Sequence, residues 1–525
     1  MGWITNDAKG GEDTKGSTRV STQTRGQNML EYTGHPLVDI GVATITAFAG
    51  KADPTLVTDG DLDEVADYVE REYSQKPLKS FLTVAFTSNA WFAQYAFDSQ
   101  PEKRHDYADR LLRGYHADVP RLAESCVFTG EPATATSFSD SLPSGRAFRQ
   151  HIPLLTGEGV INFYPWGDAG CPISGEASLC IQAFPLGCAP CAGRLLAVHS
   201  DNAELTLEYA RRFLDENRRA IALAHQAKSD KMPGAGFTAR TLLIDVLLDA
   251  EQRRRDAGEC ESRPSSITAY HLNNGKSVGL DLYHLPLQLT DFLILVAGPD
   301  YRSEWQEISR RGWWLTKPRK AKKGESGTET LAGKPHVQRN VLYEDLFELP
   351  AQAGRFVRTY FLRMPFRSNY EEDPRRGYSL QGEVGLISWK LAALFLRKVM
   401  IVDKERIEQI RELGDRLASY VSTENDRRFF TTFYTERRSY EVLRNALIRA
   451  NLAWVKRGQP PFITLDPYIQ VFEQGDEVAF PDWRLARDLV LIRMIEQLYG
   501  QGWLVSNRDA ISESTNEDDA TTPAS

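Results

Sequence analysis

Long apolar runs are missing from this chain of 525 residues: no window approaches the roughly 20 consecutive apolar residues of a spanning helix, so no membrane segment is expected. Residues 1–28 lack the apolar core of a secretory signal. They are rich in Gly, Ser and Thr and are expected to be a disordered tail, as is the polar, acidic stretch 507–525. Met29 directly precedes the first patterned segment and is a candidate natural start. Cysteine is scarce, six in all, which is no disulfide framework and fits a cytoplasmic chain. Enzyme signatures are missing too. Gly50-Lys51 lacks the glycine spacing and hydroxyl of a phosphate-binding loop, and there is no HExxH or GxSxG. His105-Asp106 stands alone, the nine histidines are scattered, and no carboxylate cluster has the pattern of a two-metal nuclease. A non-catalytic role is expected.

Charge of one sign is in mild excess: 63 Lys and Arg against 71 Asp and Glu, a formal −8. That excludes a uniformly basic nucleic-acid coat. Local basic grooves stay open, because net charge averages over unlike surfaces. With 42% apolar and 26% charged residues the chain is globular, and its length corresponds to about two to four domains.

The patterning predicts an α+β chain. A mixed α/β domain over 29–383 includes a small Cys-bearing module at about 121–202, and an all-helical bundle follows over 384–506. Gly34-His35-Pro36 is a turn before an apolar run of helix length, Leu37 to Phe48, and Asp59 or Asp61 can cap a helix to about Glu72. Strand character is expected at Phe81 to Phe86, Ser178 to Phe184 and Arg194 to His199. Helices are expected at Pro101 to Tyr115, Ala203 to Lys228 and Phe237 to Arg255. Asn273-Asn274-Gly275, between two strand-like runs, predicts a hairpin. Arg310 to Gly324 reads as a loop, residues 336–365 as helical with a break near Pro350. No internal repeat is found.

Three features carry chemistry. Cys188-Ala189-Pro190-Cys191 can supply two thiolates to one tetrahedral zinc, with Cys126 and then Cys171 as the remaining candidate ligands. Reduced core cysteines without metal are an equal reading; a thioredoxin-like redox pair would need a preceding strand and a following long helix. Second, taken as one helix, Asp426 to Arg457 places Phe429, Phe433, Tyr440, Leu443, Leu447 and Trp454 on one face. Arg427, Arg438, Arg449 and Lys456 then fall within about 40° of each other opposite. Residues 427–457 hold eight basic and two acidic residues, either a solvated face or a phosphate-tracking stripe. Third, Arg310 to Lys323 is basic, with Lys317, Arg319, Lys320, Lys322 and Lys323, and Trp313 and Trp314 could stack on bases.

Several segments in order, YTGHPLVDIGVATITAF, CVFTGEPA at Cys126–Ala133, INFYPWG at Ile161–Gly167, FPLGCAPCAGRLLAVHSDN at Phe184–Asn202, and RNVLYEDLFELP with GRFVRTYFLR over Arg339–Arg363, complete the pattern. Together they resemble the CXXC–CXXC large-subunit family of type I CRISPR–Cas systems, the type I-B kind of Cascade large subunit. The resemblance covers about residues 31–365, and the helical end fits the family's C-terminal bundle. It implies a non-enzymatic, cytoplasmic subunit of an antiviral RNA-guided complex. Such a subunit reads the protospacer-adjacent motif, aids R-loop formation, guides the displaced strand and recruits a helicase–nuclease. Base pairing would read the long sequence and protein only the short motif.

Implied partners are crRNA, target duplex DNA, the Cascade backbone, crRNA-end and small subunits, and the helicase–nuclease or, in a transposon-linked variant, transposition machinery. On this resemblance Arg427, Arg437, Arg438, Arg444, Arg449 and Lys456 would track the displaced strand. Asn89 and Gln94 offer bidentate amides for motif reading, and Lys76 and Lys79 would hold adjacent phosphates. The family's double CxxC maps onto Cys126 with Thr129 and onto Cys188 with Cys191, so the fourth thiol is missing and Cys171 would substitute. In related systems the bundle resembles a separate small subunit, sometimes made from an internal start; Met400 stands where one would fall. Two other classes stay open: a zinc- or redox-dependent regulatory protein, and a CRISPR-associated nuclease with an unrecognised site.

Overall fold

The computed structural model describes residues 30–161, 167–259, 263–275, 278–315, 338–364, 366, 370, 372–379, 388–436, 438–473 and 482–507. The chain is α+β, as its patterning predicts, and divides into two compact units. The first is Met1–Gly234 with Tyr270–Asp281, the second Ala235–Ala269 with Leu282–Ser525. The division falls at Gly234, inside the stretch expected as one mixed domain, and the helices beyond 384 share a core with earlier ones. Phe395 shows why: its ring lies 5.2–5.7 Å from those of Phe292, Phe356 and Phe361.

In the first unit, α1 (Pro36–Phe48) is buried from Val38 through Thr46. A helix with so few polar positions must sit inside the core. It packs on α6 (Gly175–Ala183), on the 3₁₀ turn Phe184–Gly187, and on α7 (Ala203–Gln226). The approach to α6 is so close that a Cβ on Gly41 would lie 2.1 Å from the Cys180 carbonyl oxygen. Asp39, on this helix, accepts from the Thr33 backbone N–H at 2.6 Å, the Thr33 hydroxyl at 3.0 Å and the Gly34 N–H at 3.0 Å. His199 Nε2 stands 2.9 Å from Oδ2, the same oxygen that accepts from Gly34. Burial alone would raise the Asp39 carboxyl, but the hydrogen bonds from His199 and Thr33 outweigh it and hold it below its ordinary value.

Around this core lie α2 (Asp59–Tyr73), α3 (Leu78–Phe81), α4 (Thr83–Phe86) and α5 (Pro101–Leu112). The α2 cap is Thr58, in a capping box with Asp61, one residue ahead of the expected carboxylate. Two expected strands are helical. Phe81–Phe86 forms the turns α3 and α4, because Leu78, Leu82, Ala85 and Phe86 all enter the core at helical spacing. Ser178–Phe184 lies in α6 and the turn after it, started by Ser174, whose hydroxyl accepts from the Ala177 N–H at 3.2 Å. Almost every residue there is buried, so no helical period shows in the sequence. The short ribbons β1 (Arg121–Ser125)–β2 (Pro132–Thr134) and β3 (Arg146–Ala147)–β4 (Cys171–Pro172) flank a four-stranded sheet. That sheet has the order β5 (Ala189–Cys191), β6 (Arg194–Ser200), β7 (Ile267–Asn273), β8 (Gly279–Leu285). The β7–β8 hairpin is the expected one. Its turn residue Asn274 is fully buried: its N–H donates to Val84 O at 2.6 Å, and Arg149 Nε donates to its Oδ1 at 3.0 Å.

The second unit begins with α8 (Ala239–Asp256), α9 (Leu287–Val296) and α10 (Arg302–Arg311). A ribbon of β9 (Trp313–Leu315) and β10 (Gln338–Asn340) follows, so the Trp pair lies on a strand where a loop was expected. Then come α11 (Val341–Leu346), α12 (Ala353–Phe356) running into a π turn Val357–Phe361, and α13 (Trp389–Lys398). The chain continues through α14 (Lys404–Glu424), α15 (Arg427–Thr435), α16 (Tyr440–Val455), α17 (Leu465–Phe472), α18 (Trp483–Gly500) and α19 (Trp503–Ser506).

Gly41→Ala is expected to cost about 3 kcal/mol in urea unfolding, because backbone must move to admit the methyl. Gly60→Ala, on exposed α2 where a Cβ meets only Thr58 Oγ1 at 3.8 Å, should gain up to about 1 kcal/mol. A pH test targets His151. It is buried, accepts at Nδ1 from the Phe148 N–H at 3.3 Å, and has Nε2 2.6 Å from the Tyr107 hydroxyl. Burial lowers its pKa to about 3. The unfolded chain therefore binds a proton near pH 6.5 that the folded chain refuses, and stability falls as pH drops from 6.5 toward 3. Between pH 7 and pH 5 this group should remove about 2 kcal/mol, a loss absent in His151→Gln.

Candidate nucleic-acid groove

The basic segment 426–457 is two helices, which corrects the single helix its periodicity predicts. Asp426 caps α15 by accepting from the Phe429 N–H at 2.9 Å, while the Tyr420 hydroxyl donates to its second oxygen at 2.7 Å. At the far end Glu436 turns extended, and its carboxylate accepts from the Arg438 and Ser439 N–H groups, both at 2.8 Å. Ser439 then caps α16, its hydroxyl accepting from the Val442 N–H at 3.3 Å.

Arg487 of α18 secures the break. It is fully buried, and one guanidinium nitrogen donates to Phe433 O at 3.4 Å, Tyr434 O at 3.5 Å and Glu436 O. The other donates to Asp488, whose second oxygen lies 3.7 Å from Arg358. The last carbonyls of a helix have no partner within it and carry partial negative charge, so a cation there satisfies both.

The turn between helices opens a groove of about 510 Å³. Tyr420, Phe429, Thr432, Ala446 and Ala450 line it, with Arg428, Arg449 and Asn445 beside them. Of the expected stripe, Arg427, Arg438, Arg449 and Lys456 are exposed and make no ion pair among the described residues. Arg428 shares that state. Two expected members are engaged elsewhere or unplaced. Arg444 lies 3.5 Å from Glu473, and Arg437 lies outside the described residues. Arg457 pairs with Glu424. Because the helix breaks, Arg427 and Arg438 no longer share a phase with Arg449 and Lys456. Arg428 was missed because a continuous wheel sets it 100° from Arg427; the Asp426 cap just before an arginine pair was its only sequence signal.

The other sites fare differently. Lys317, Arg319, Lys320, Lys322 and Lys323 lie outside the described residues. Trp313 and Trp314 are packed: Trp313 lies 5.7 Å from the Phe237 ring and 6.1 Å from that of Tyr343, and Trp314 lies under the Arg339 guanidinium at 5.3 Å. Asn89 and Gln94 are both exposed on the segment after α4, which also displays Tyr95, 88% exposed. Lys76 and Lys79 are held by carboxylates, Asp230 at 2.6 Å and Asp98 at 2.5 Å.

Cys126, Cys171, Cys188 and Cys191 are buried. The Val127 N–H donates to Pro172 O at 3.1 Å, which sets Cys126 near Cys171. Cys188, by contrast, donates its thiol proton to Phe184 O at 3.1 Å. Burial raises the Cys171 and Cys188 thiols and pushes Cys191 up to about 11. Among the described residues, no three His, Cys, Asp or Glu side chains come together as a metal would need.

No protein-family model matches the chain, and no curated protein and no solved structure matches it. Among the described residues no helix is long and apolar enough to cross a membrane.

Removing the buried cation tests what shapes the groove. Arg487→Met should lose about 3 kcal/mol or more in urea unfolding, since it takes one cationic partner from Asp488 and the donor from three carbonyls. Lys404→Ala on exposed α14 should stay within about 0.5 kcal/mol.

Proposed function

We propose that this chain is the non-catalytic large subunit of a type I, I-B-like CRISPR RNA-guided surveillance complex, and that the α15–α16 groove guides the displaced DNA strand. The groove itself carries the reading: two exposed arginines without ion pairs among the described residues, Arg428 and Arg449, beside an aromatic and small-residue floor, in a chain of net charge −8. Cations of this kind hold a phosphate backbone through counterion release, which carries no sequence information. Such a surface needs no catalytic group. The ordered motifs from Tyr32 to Arg363 support the same family.

In this reading the exposed segment with Asn89, Gln94 and Tyr95 approaches the motif duplex, and Lys76 and Lys79 exchange their carboxylate partners for phosphates. The crRNA, the backbone, crRNA-end and small subunits, and a helicase–nuclease or transposition machinery are the partners, in the cytoplasm. Met400 lies between α13 and α14, so an internal start there would yield α14–α19 as a helical product. The redox alternative loses support because reactive cysteines have low pKa values and exposure, the opposite of these thiols.

The test is reconstitution. The tagged full-length chain should co-purify with a crRNA-bearing particle, and the particle without it should lose motif discrimination in duplex binding. Unchanged discrimination without the chain would overturn the proposal. In the isolated chain, Arg428→Gln with Arg449→Gln should lower the slope of log affinity against log salt by about 1.4 for single-stranded DNA.

A further inference from the structure

We infer that residues 508–525 of this same chain occupy the α15–α16 groove when no nucleic acid is bound. Where the segment begins is the first observation. Trp503 of α19 donates from Nε1 to Asn425 Oδ1 at 3.0 Å, and its ring lies 5.3 Å from that of Phe430. Asn425 adjoins Asp426, a residue of the groove wall, so α19, capped by Asn507 four residues after Trp503, lies by the α15 end of the groove.

Charge is the second observation. Residues 508–525 carry Asp509, Glu513, Glu517, Asp518 and Asp519 against a single base, Arg508. The groove offers the opposite in Arg428 and Arg449, and Arg427, Arg438 and Lys456, elsewhere on the same segment, are also exposed; none of the five has an ion pair among the described residues. Asp426, the one carboxylate of the wall, is already satisfied by Tyr420 and by the Phe429 N–H.

Reach is the third. Extended chain covers about 3.3 Å per residue, so the acidic group at 517–519 reaches up to about 40 Å from Asn507. The 9 residues of α15 span about 14 Å and the 16 residues of α16 about 24 Å, so this reach exceeds the length of either groove wall. A tethered segment acts at an effective concentration near the millimolar range, and weak exposed pairs suffice to fill the groove. The carboxylates then stand where phosphates would. A continuous single strand displaces them, and fragments making few contacts do not. This competition, though not the docking itself, rests on the nucleic-acid reading above.

Two measurements separate the docking from that reading. In the first, a labelled peptide of residues 508–525 is titrated with the chain ended after Asn507, following anisotropy at low salt. Binding should weaken at least tenfold on Arg428→Gln with Arg449→Gln, and should disappear as salt screens the pairs. No binding, or binding indifferent to the two arginines, overturns the inference whatever the groove does with DNA. In the second, a fluorescent single-stranded oligonucleotide is titrated with the full chain, with the chain ended after Asn507, and with the full chain carrying Glu513→Gln, Glu517→Gln, Asp518→Asn and Asp519→Asn. Ending or neutralising the segment should tighten oligonucleotide binding by about tenfold, consistent with removal of a tethered competitor. Equal affinity for all three, with binding that still needs Arg428 and Arg449, overturns the competition. If the peptide docks but no form binds the oligonucleotide, the docking stands and the nucleic-acid reading falls.

Discussion

Arg487 is wholly buried, and a guanidinium taken out of water costs several kcal/mol unless its donors find acceptors. Here its two terminal nitrogens find the closing carbonyls of α15, the Glu436 carbonyl and the Asp488 carboxylate. With those carbonyls claimed from outside, Thr435 can end the helix, and Glu436 can cap the start of the next one. A helix continued through this point would put its basic residues along one rod. The enforced turn instead folds α16 against α15 and sets Arg428 and Arg449 on a common groove. The position of two charges on the surface thus depends on one charge in the core.

The first unit is organised around a different necessity. Helix α1 offers no solvent face, so its neighbours must meet it at backbone distance, and Gly41 is where they do. Its one ionised group, Asp39, is held by Thr33, Gly34 and His199. The Asn274 turn is held in turn by Val84, Ala85 and Arg149, which locks the hairpin tip to the end of α4. The segment bearing Asn89, Gln94 and Tyr95 starts from that locked point. A rigid base under an exposed loop is the usual way to present recognition residues.

Much of this was legible in the sequence where polar and apolar positions alternate with a clear period. Helices α2, α5, α7 and α8 and the β7–β8 hairpin, with one solvent face each, fall close to where patterning places them. Legibility fails where both faces are buried. FLTVAF and Ser178–Phe184 look like strands because every position but Gln182 is apolar or small, and tertiary contacts decide the matter. The groove was half legible. Its charge excess can be counted, but the break at 436–439 depends on Arg487, some fifty residues away, which no local pattern reveals. The cysteines show the opposite case: CxxC spacing is visible in the sequence, whereas the burial that keeps those thiols protonated is not.

The most direct measurement places a photo-crosslinking phenylalanine analogue at Asn445, on the groove wall, in the crRNA-bearing complex assembled on motif-containing duplex DNA. Crosslinks to the displaced strand, and their loss when Arg428→Gln and Arg449→Gln are added, are the expected result. A complex that opens the duplex yet gives no crosslink to the displaced strand, or crosslinks indifferent to both arginines, would contradict it.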